Sequence, residues 1–219
     1  MIKLGTNYGG WYIPEDIKLD SESIIYSGGV GEDISFDLLL SDKYDSNIVL
    51  IDPTNRAKRH YDEVVKYYKN KKWKFSGDIQ RDYYNKVGGL DIKFNKFKYL
   101  NIGIWDKKDK LKFYRQTNPK YVSQSLLDTM FGSSYDEVEV NSIKNIMEMG
   151  GHDKVDLLKL DIEGAEIKVL NNMLDDNIYP RYLCIEFDLY LKSKDINGET
   201  KKVLGRLIRA GYRVLKNDN

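Results

Sequence analysis

The sequence predicts a doubly wound α/β fold with a mostly parallel sheet. Three observations lead there. Short β-branched runs alternate with helix-length amphipathic stretches, the first run ends in a glycine turn, and later runs end in an aspartate. At 219 residues the chain is long enough to bury one large core without disulfides or metal.

The first strand is Ser23 to Ser27, followed by a helix over Asp33 to Ser41 that carries Ile34, Phe36 and a leucine triplet. Ile48 to Asp52 is the second strand, stopped by Pro53, and Ala57 to Tyr68 is the helix after the Asp-Pro turn. Lys98 to Ile104 is the third. A helix over Ser142 to Met149 places Ile143, Ile146 and Met147 on one face and stops at Gly150-Gly151. Val155 to Asp161 is the fourth strand, with a helix over Glu163 to Leu174 directly behind it. Tyr182 to Phe187 is the fifth strand, Thr200 to Ala210 the last helix, and Tyr212 to Lys216 a sixth strand.

Two regions resist this pattern. Residues 71–96 form a polar insertion containing Gly88-Gly89, and Leu111 to Tyr135 reads as a short strand followed by an irregular loop. The whole of 1–219 is expected to be a single domain. It ends at its sixth strand, which fits a domain excised from a longer polypeptide.

Charge and cysteine content narrow the function. The net charge is +1, so the totals give no pull toward a polyanion or an anionic lipid surface. The sum conceals a basic middle: Arg56 to Lys120 holds 19 basic and 7 acidic residues, leaving both ends acidic. That middle also holds aromatics, including Trp73, Tyr83, Tyr84, Trp105 and Tyr114. They are either core residues or an acceptor surface where rings stack and lysines meet phosphates. A single cysteine, Cys184, excludes an intramolecular disulfide and fits a reducing, cytoplasmic setting. The aliphatic runs are too short to cross a bilayer, and Lys3 and Thr6-Asn7 interrupt any cleavable signal.

The glycine turn Ser27-Gly28-Gly29-Val30-Gly31-Glu32-Asp33 lets backbone approach a ligand where such sheets bind them. A dinucleotide is disfavoured. The third small residue of that fingerprint is replaced by Ile34, and Glu32 and Asp33 at the helix mouth repel a pyrophosphate. Two carboxylates there suit a cationic nucleoside such as S-adenosylmethionine. Asp52, 21 residues after Gly31, has the position of an acid that binds ribose hydroxyls. The plainer alternatives are a helix cap for Asp33 and a simple turn for Asp-Pro.

The densest constellation is Leu158-Lys159-Leu160-Asp161-Ile162-Glu163-Gly164-Ala165-Glu166. Alternation puts Lys159 and Asp161 on one side at the strand end, and an ionic pair inside a sheet is costly unless it is used or well satisfied. Glu186 and Asp188 after the fifth strand share one side as well. The plainer alternative is a buried pair orienting the loop, with Glu163 and Glu166 favouring a helix start. His60 and His152 read as surface residues.

The runs Ile25-Tyr26-Ser27-Gly28-Gly29-Val30-Gly31-Glu32-Asp33-Ile34-Ser35, Asp52-Pro53-Thr54, Gly103-Ile104-Trp105, Val122-Ser123-Gln124-Ser125 and Leu157 to Glu166 together resemble the FkbM-type family of S-adenosylmethionine-dependent methyltransferases. The resemblance is colinear from about Ser23 to Gly211, and Lys-x-Asp-x-Glu-Gly is its most specific part. It implies a class I, Rossmann-like methyltransferase fold and O-methylation of hydroxyls on sugars or polyketides, a terminal deoxysugar of a glycan being one candidate. Carried onto this chain, it implies that Gly29, Gly31, Glu32 and Asp33 surround the methionine part of the donor, Asp52 its ribose, and that Asp161 sits near the methyl group. Two positions depart from the relatives: Gly28, often bulkier, and Asp188, often His.

Methyl transfer needs the acceptor oxygen aligned with the methyl and its proton removed. Asp161 is the expected base, assisted by Glu186, with Lys159 lowering the acceptor pKa or holding Asp161. Glu163 completes the catalytic set. A divalent metal bridging Asp161 with Glu186 or Asp188 is the second choice. The partner is a glycan or small-molecule acceptor. An RNA 2′-hydroxyl methyltransferase and a non-catalytic donor-binding module are the rival functions.

Overall fold

The computed structural model describes residues 1–70, 74–77, 79–115, 124–126, 134–191, 194–195 and 197–217, the side chain of Gln124 excepted. In chain order the elements are β1 (Ile2–Leu4), β2 (Trp11–Ile13), β3 (Ile24–Gly28), α1 (Ser35–Tyr44), β4 (Asn47–Ile51), α2 (Asn55–Asn70), α3 (Tyr83–Val87), β5 (Phe97–Leu100) and β6 (Gly103–Ile104). Then come β7 (Asp109–Arg115), β8 (Gln124–Ser125), β9 (Tyr135–Asn141), α4 (Ile143–Gly150), β10 (Leu157–Leu160), α5 (Glu166–Asp175), β11 (Tyr182–Ile185), α6 (Asp188–Leu191) and α7 (Glu199–Arg209). Among these residues no helix is long and apolar enough to cross a membrane.

The central sheet runs β11-β10-β3-β4-β5, every neighbouring pair parallel. The chain leaves β3 outward through β4 and β5, then returns to build β10 and β11 on the other side. The order therefore reverses between β3 and β10, and the carboxyl ends of these two strands flank the crevice where ligands bind in such sheets. Their register pairs Lys159 with Ser27 and Leu160 with Gly28, so the glycine turn and Asp161 emerge side by side.

Alternation along the strands divides the core in two. Tyr26, Val49, Ile51, Leu158 and Leu160 face α4, α5 and α7, whereas Ile25, Ile48, Leu50, Leu157 and Cys184 face α1, α2 and α3. Both faces are covered, which explains why these strands read as continuous apolar runs. Ser142 caps α4 by accepting the Asn145 amide at 3.2 Å, and Gly151 ends that helix at φ +66°.

Several expectations require correction. The third strand, Lys98 to Ile104, is two strands: β5 joins the central sheet, while β6 pairs with β9 in a second, four-stranded sheet ordered β6-β9-β7-β8. Of the stretch Leu111 to Tyr135, the expected short strand is β7, Gln124–Ser125 adds β8 to the same sheet, and 116–123 and 127–133 of the expected loop lie outside the described residues. Tyr212 to Lys216 is not a strand. It passes beyond α7 with the Tyr212 amide on Leu207 O at 3.1 Å and the Tyr212 hydroxyl on Pro180 O at 2.7 Å, and makes no ladder with β11. The helix expected from Glu163 begins at Glu166, because Glu163 at φ +57° and Gly164 at φ +103° are left-handed. The insertion at 71–96 contributes α3 to the core; Trp73 lies outside the described residues.

The basic middle spends many of its described aromatics inside, while Tyr84 is exposed. Tyr83, Phe97, Trp105 and Phe113 are buried, while Tyr61, Tyr68, Phe75 and Phe94 pack edge to face or tilted among their neighbours. His60 is fully buried rather than on the surface, its Nε2 2.8 Å from the Tyr83 hydroxyl, and burial lowers its pKa to about 4. His152 is half-buried against the Tyr26 hydroxyl at 2.8 Å.

Candidate functional site

The glycine turn leaves β3 in a conformation that side chains resist. Gly29 and Gly31 sit at φ +71° and +52°. A Cβ on Gly29 would stand 1.7 Å from the main-chain oxygen of Asp161, so the turn and the end of β10 touch backbone to backbone. A Cβ on Gly31 would meet nothing within 4 Å: this part of the turn faces open cleft. Ser27 is fully buried and supports the turn from below instead of lining it. At Gly28, the room a larger residue would fill is taken by Ile104, whose Cδ1 would lie 2.6 Å from an added Cβ.

Asp52 closes the turn. Its Oδ2 accepts the Val30 and Gly31 amides at 3.1 Å each, and its Oδ1 accepts the Thr54 amide at 2.8 Å and hydroxyl at 2.7 Å. Four donors saturate a carboxylate. Asp52 stands at the expected place, but as the clasp of the turn. Glu32 also differs from the sequence expectation. It is held between Arg56 at 2.7 Å and Arg59 at 2.9 Å, one turn apart on α2, so it offers no open negative charge to a cation. Asp33 closes an Asx turn just before α1, whose N-cap is Ile34, by accepting the Ser35 amide at 2.9 Å, and its other oxygen accepts the Thr6 hydroxyl at 2.5 Å.

Lys159 is almost fully buried where the two strands meet. Its ammonium donates to Gly29 O at 2.8 Å and Gly28 O at 3.3 Å, lies 3.9 Å from Asp161 Oδ2 and sits 5.5 Å from the Trp11 ring centroid. These two donated bonds tie the glycine turn to the end of β10. The buried Asp37 on α1 lies in its field: burial raises that carboxyl to about 6, and Lys159 opposes the rise.

Asp161 is about one-third exposed, at 34%, on the cleft floor. The loop after it is braced from both sides. Ser125 of β8 donates to Glu163 O at 2.6 Å, and the fully buried Glu166 accepts the Ile162 amide at 3.0 Å and the Gly164 amide at 3.0 and 3.1 Å. Burial and then Asp188 raise the Glu166 carboxyl to about 8, against the pull of those amides. Glu163 therefore holds a left-handed conformation that costs about 1–3 kcal/mol and persists because its surroundings fix it.

Carboxylate oxygens of Asp161, Glu163 and Asp188 lie within 4.8 Å of one another, an oxygen-rich trio suited to a hard divalent cation. Glu186 is outside that trio, contrary to the set read from the sequence, although it lines the same cleft. The sequence reading also passed over the N-terminal hairpin. β1 and β2 bring Tyr8 and Trp11 to the cleft, and the only local signal was glycine and aromatic residues interleaved in Tyr8-Gly9-Gly10-Trp11. Partial burial, then Asp161, Glu163, Glu186 and Asp33, push the Tyr8 hydroxyl above the usual tyrosine range. The cleft joining these groups measures about 1440 Å³ and runs on past β11.

A family model described as the methyltransferase FkbM domain matches residues 50–214, which takes in Asp52 and the whole Lys159 to Glu166 constellation but begins after the glycine turn. No curated protein and no solved structure gave a significant match.

Proposed function

Because the chain belongs to the FkbM methyltransferase family, we propose that it transfers a methyl group from S-adenosylmethionine to a hydroxyl of a sugar, a glycan or a related small molecule. The observation that carries this reading is the contact of Gly29 with the main chain of Asp161, which sets the glycine turn and a partly exposed carboxylate at one switch point. The open space at Gly31 fits a donor held against backbone. When bound, the donor supplies a methyl on a sulfonium, already a good leaving group.

The protein's tasks are then alignment and proton removal. Asp161 is the base that takes the acceptor proton, and Glu186 supports it from the same cleft. Lys159 fixes the turn against β10 and keeps Asp161 near its floor position. Asp52 shapes the donor site by holding the Val30 and Gly31 amides, while Asp33 adds negative charge near the cationic end. A divalent ion held by Asp161, Glu163 and Asp188 would polarise the acceptor hydroxyl. Carboxylates at the mouth disfavour a polyanionic acceptor, and Tyr83 and Trp105 of the basic middle are engaged in the core, so RNA is the weaker reading. A cytoplasmic setting belongs to the same proposal and suits the free, buried Cys184.

The test is incubation with labelled donor and a panel of glycosides, read by mass spectrometry. Asp161→Asn at saturating donor is expected to lower turnover by a factor of about 100 or more, the range for a removed general base. Wild-type turnover in that variant removes Asp161 from the chemistry, and failure to bind donor at all removes the methyltransferase reading.

A further inference from the structure

The N-terminal hairpin precedes the family match, and neither donor binding nor proton removal calls on it. Its tip is nevertheless fastened to the site. Thr6 Oγ1 donates to Asp33 at 2.5 Å and accepts the Gly9 amide at 2.9 Å; the Thr6 amide reaches Ser35 Oγ at 2.8 Å, and the Asn7 amide reaches Asp82 at 3.0 Å. Gly9 lies so close that a Cβ there would stand 2.6 Å from the Asp33 carboxyl carbon. Between these anchors Tyr8 is 71% exposed at the rim of the cleft.

We propose that Tyr8 is an acceptor-binding residue: its ring forms a wall for the apolar face of a sugar, while Asp161, Glu163 and Glu186, which line the same cleft, meet the hydroxyls. This inference rests on the O-methyltransferase reading. An aromatic ring offers a flat apolar surface with a polar tip, the pairing that a pyranose, with one C–H-rich face and a hydroxyl rim, requires. Fastening the turn beforehand removes part of the ordering cost of binding.

Charge then narrows the acceptor class. Asp33, Asp161, Glu163 and Glu186 line the cleft that Tyr8 rims, and the Lys159 ammonium donates to the glycine carbonyls. An acceptor carrying a phosphate or a carboxylate is repelled at this mouth, whereas a neutral or amino sugar is admitted.

The experiment uses the full chain with S-adenosylhomocysteine, and three probes: methyl β-glucopyranoside, its 2-amino analogue and methyl β-glucuronide. Ligand-observed NMR reads probe binding, calorimetry reads donor-product affinity, and labelled-donor assays split KM from kcat. The neutral and amino probes are expected to bind and the glucuronide to bind at least tenfold more weakly. Tyr8→Ala raises the acceptor dissociation constant and KM about tenfold, the scale of one lost ring contact. S-adenosylhomocysteine affinity stays within about threefold, and Tyr8→Phe recovers most of the lost acceptor affinity. An unchanged acceptor KM in Tyr8→Ala, a glucuronide that binds as well as the neutral probe, or no binding of any probe beside intact donor-product binding overturns the inference. Loss of S-adenosylhomocysteine binding in Tyr8→Ala reassigns the residue to the donor and overturns it too. Absence of that binding in the unaltered protein instead refutes the methyltransferase reading.

Discussion

Replacing Lys159 with methionine separates holding from chemistry. Methionine keeps the length and much of the volume of lysine but removes the hydrogen bond to Gly29 O at 2.8 Å and the approach to Asp161 at 3.9 Å. Gly28 O keeps the Asp161 amide at 3.2 Å, so the loss falls on Gly29 O. A hydrogen bond from a charged donor contributes about 1.5–3 kcal/mol, and removing a buried ammonium returns part of its desolvation cost. The net is a destabilisation of about 1–2 kcal/mol, or roughly 2–8 °C in Tm for a domain of this size. Because the bond lost is one of those that hold the turn, S-adenosylhomocysteine binding weakens about 5- to 30-fold for the same free energy. Thermal unfolding and calorimetry on the variant measure both. If Tm and affinity stay at wild-type values while kcat at saturating donor falls a hundredfold, Lys159 acts on the reacting groups and the positioning role is wrong.

Asp52→Ala releases the Val30, Gly31 and Thr54 amides, each costing about 1–3 kcal/mol if left buried and unpaired, so Tm and donor affinity fall together. A loss of affinity at unchanged Tm would show instead that the carboxylate contacts the ribose directly. Glu166 gives a pH signature. Its value in the fold, about 8, lies above the ordinary 4.5, so its stabilising contribution is complete below about pH 4.5 and is lost as pH rises through 8. Glu166→Gln removes that titration. Denaturant unfolding from pH 5 to 8.5 in chelator-treated buffer is expected to show the wild type losing up to about 1.4 kcal/mol per pH unit relative to the variant. Parallel pH curves would refute the raised value.

The parts of the fold legible in sequence were the apolar strands of the central sheet, buried in β3, β4 and β10 and partly buried in the edge strand β11. β3, β4, β10 and β11 are short aliphatic runs with glycine, proline or aspartate at their ends, and α4 carried its own cap and glycine stop. The second sheet was harder to see although β9, Tyr-Asp-Glu-Val-Glu-Val-Asn, alternates: its outward residues are charged, and its partners lie far off in the chain. Tyr212 to Lys216 has the strand pattern without a strand beside it, and pattern alone cannot supply one. At the site, Lys159 and Asp161 were legible because alternation fixes their side. The engagement of Glu32 by Arg56 and Arg59 was not, since it depends on how α2 rotates against the turn. Nor was Tyr8, which reaches the carboxylates only through a hairpin of two three-residue strands.

The contact between Gly29 and the Asp161 carbonyl has a bearing on how such an enzyme can change. It is made by main chain on both sides, so no pair of compensating side chains can rebuild it once the glycine is lost. The proposed donor turn and the proposed base are thereby bound to a single main-chain constraint. The rim is different: the hairpin tip, the β8 segment and the loop after β11 meet the cleft through side chains. New acceptors can be won there by ordinary substitution, which makes the rim the place to engineer and the floor the place to leave alone.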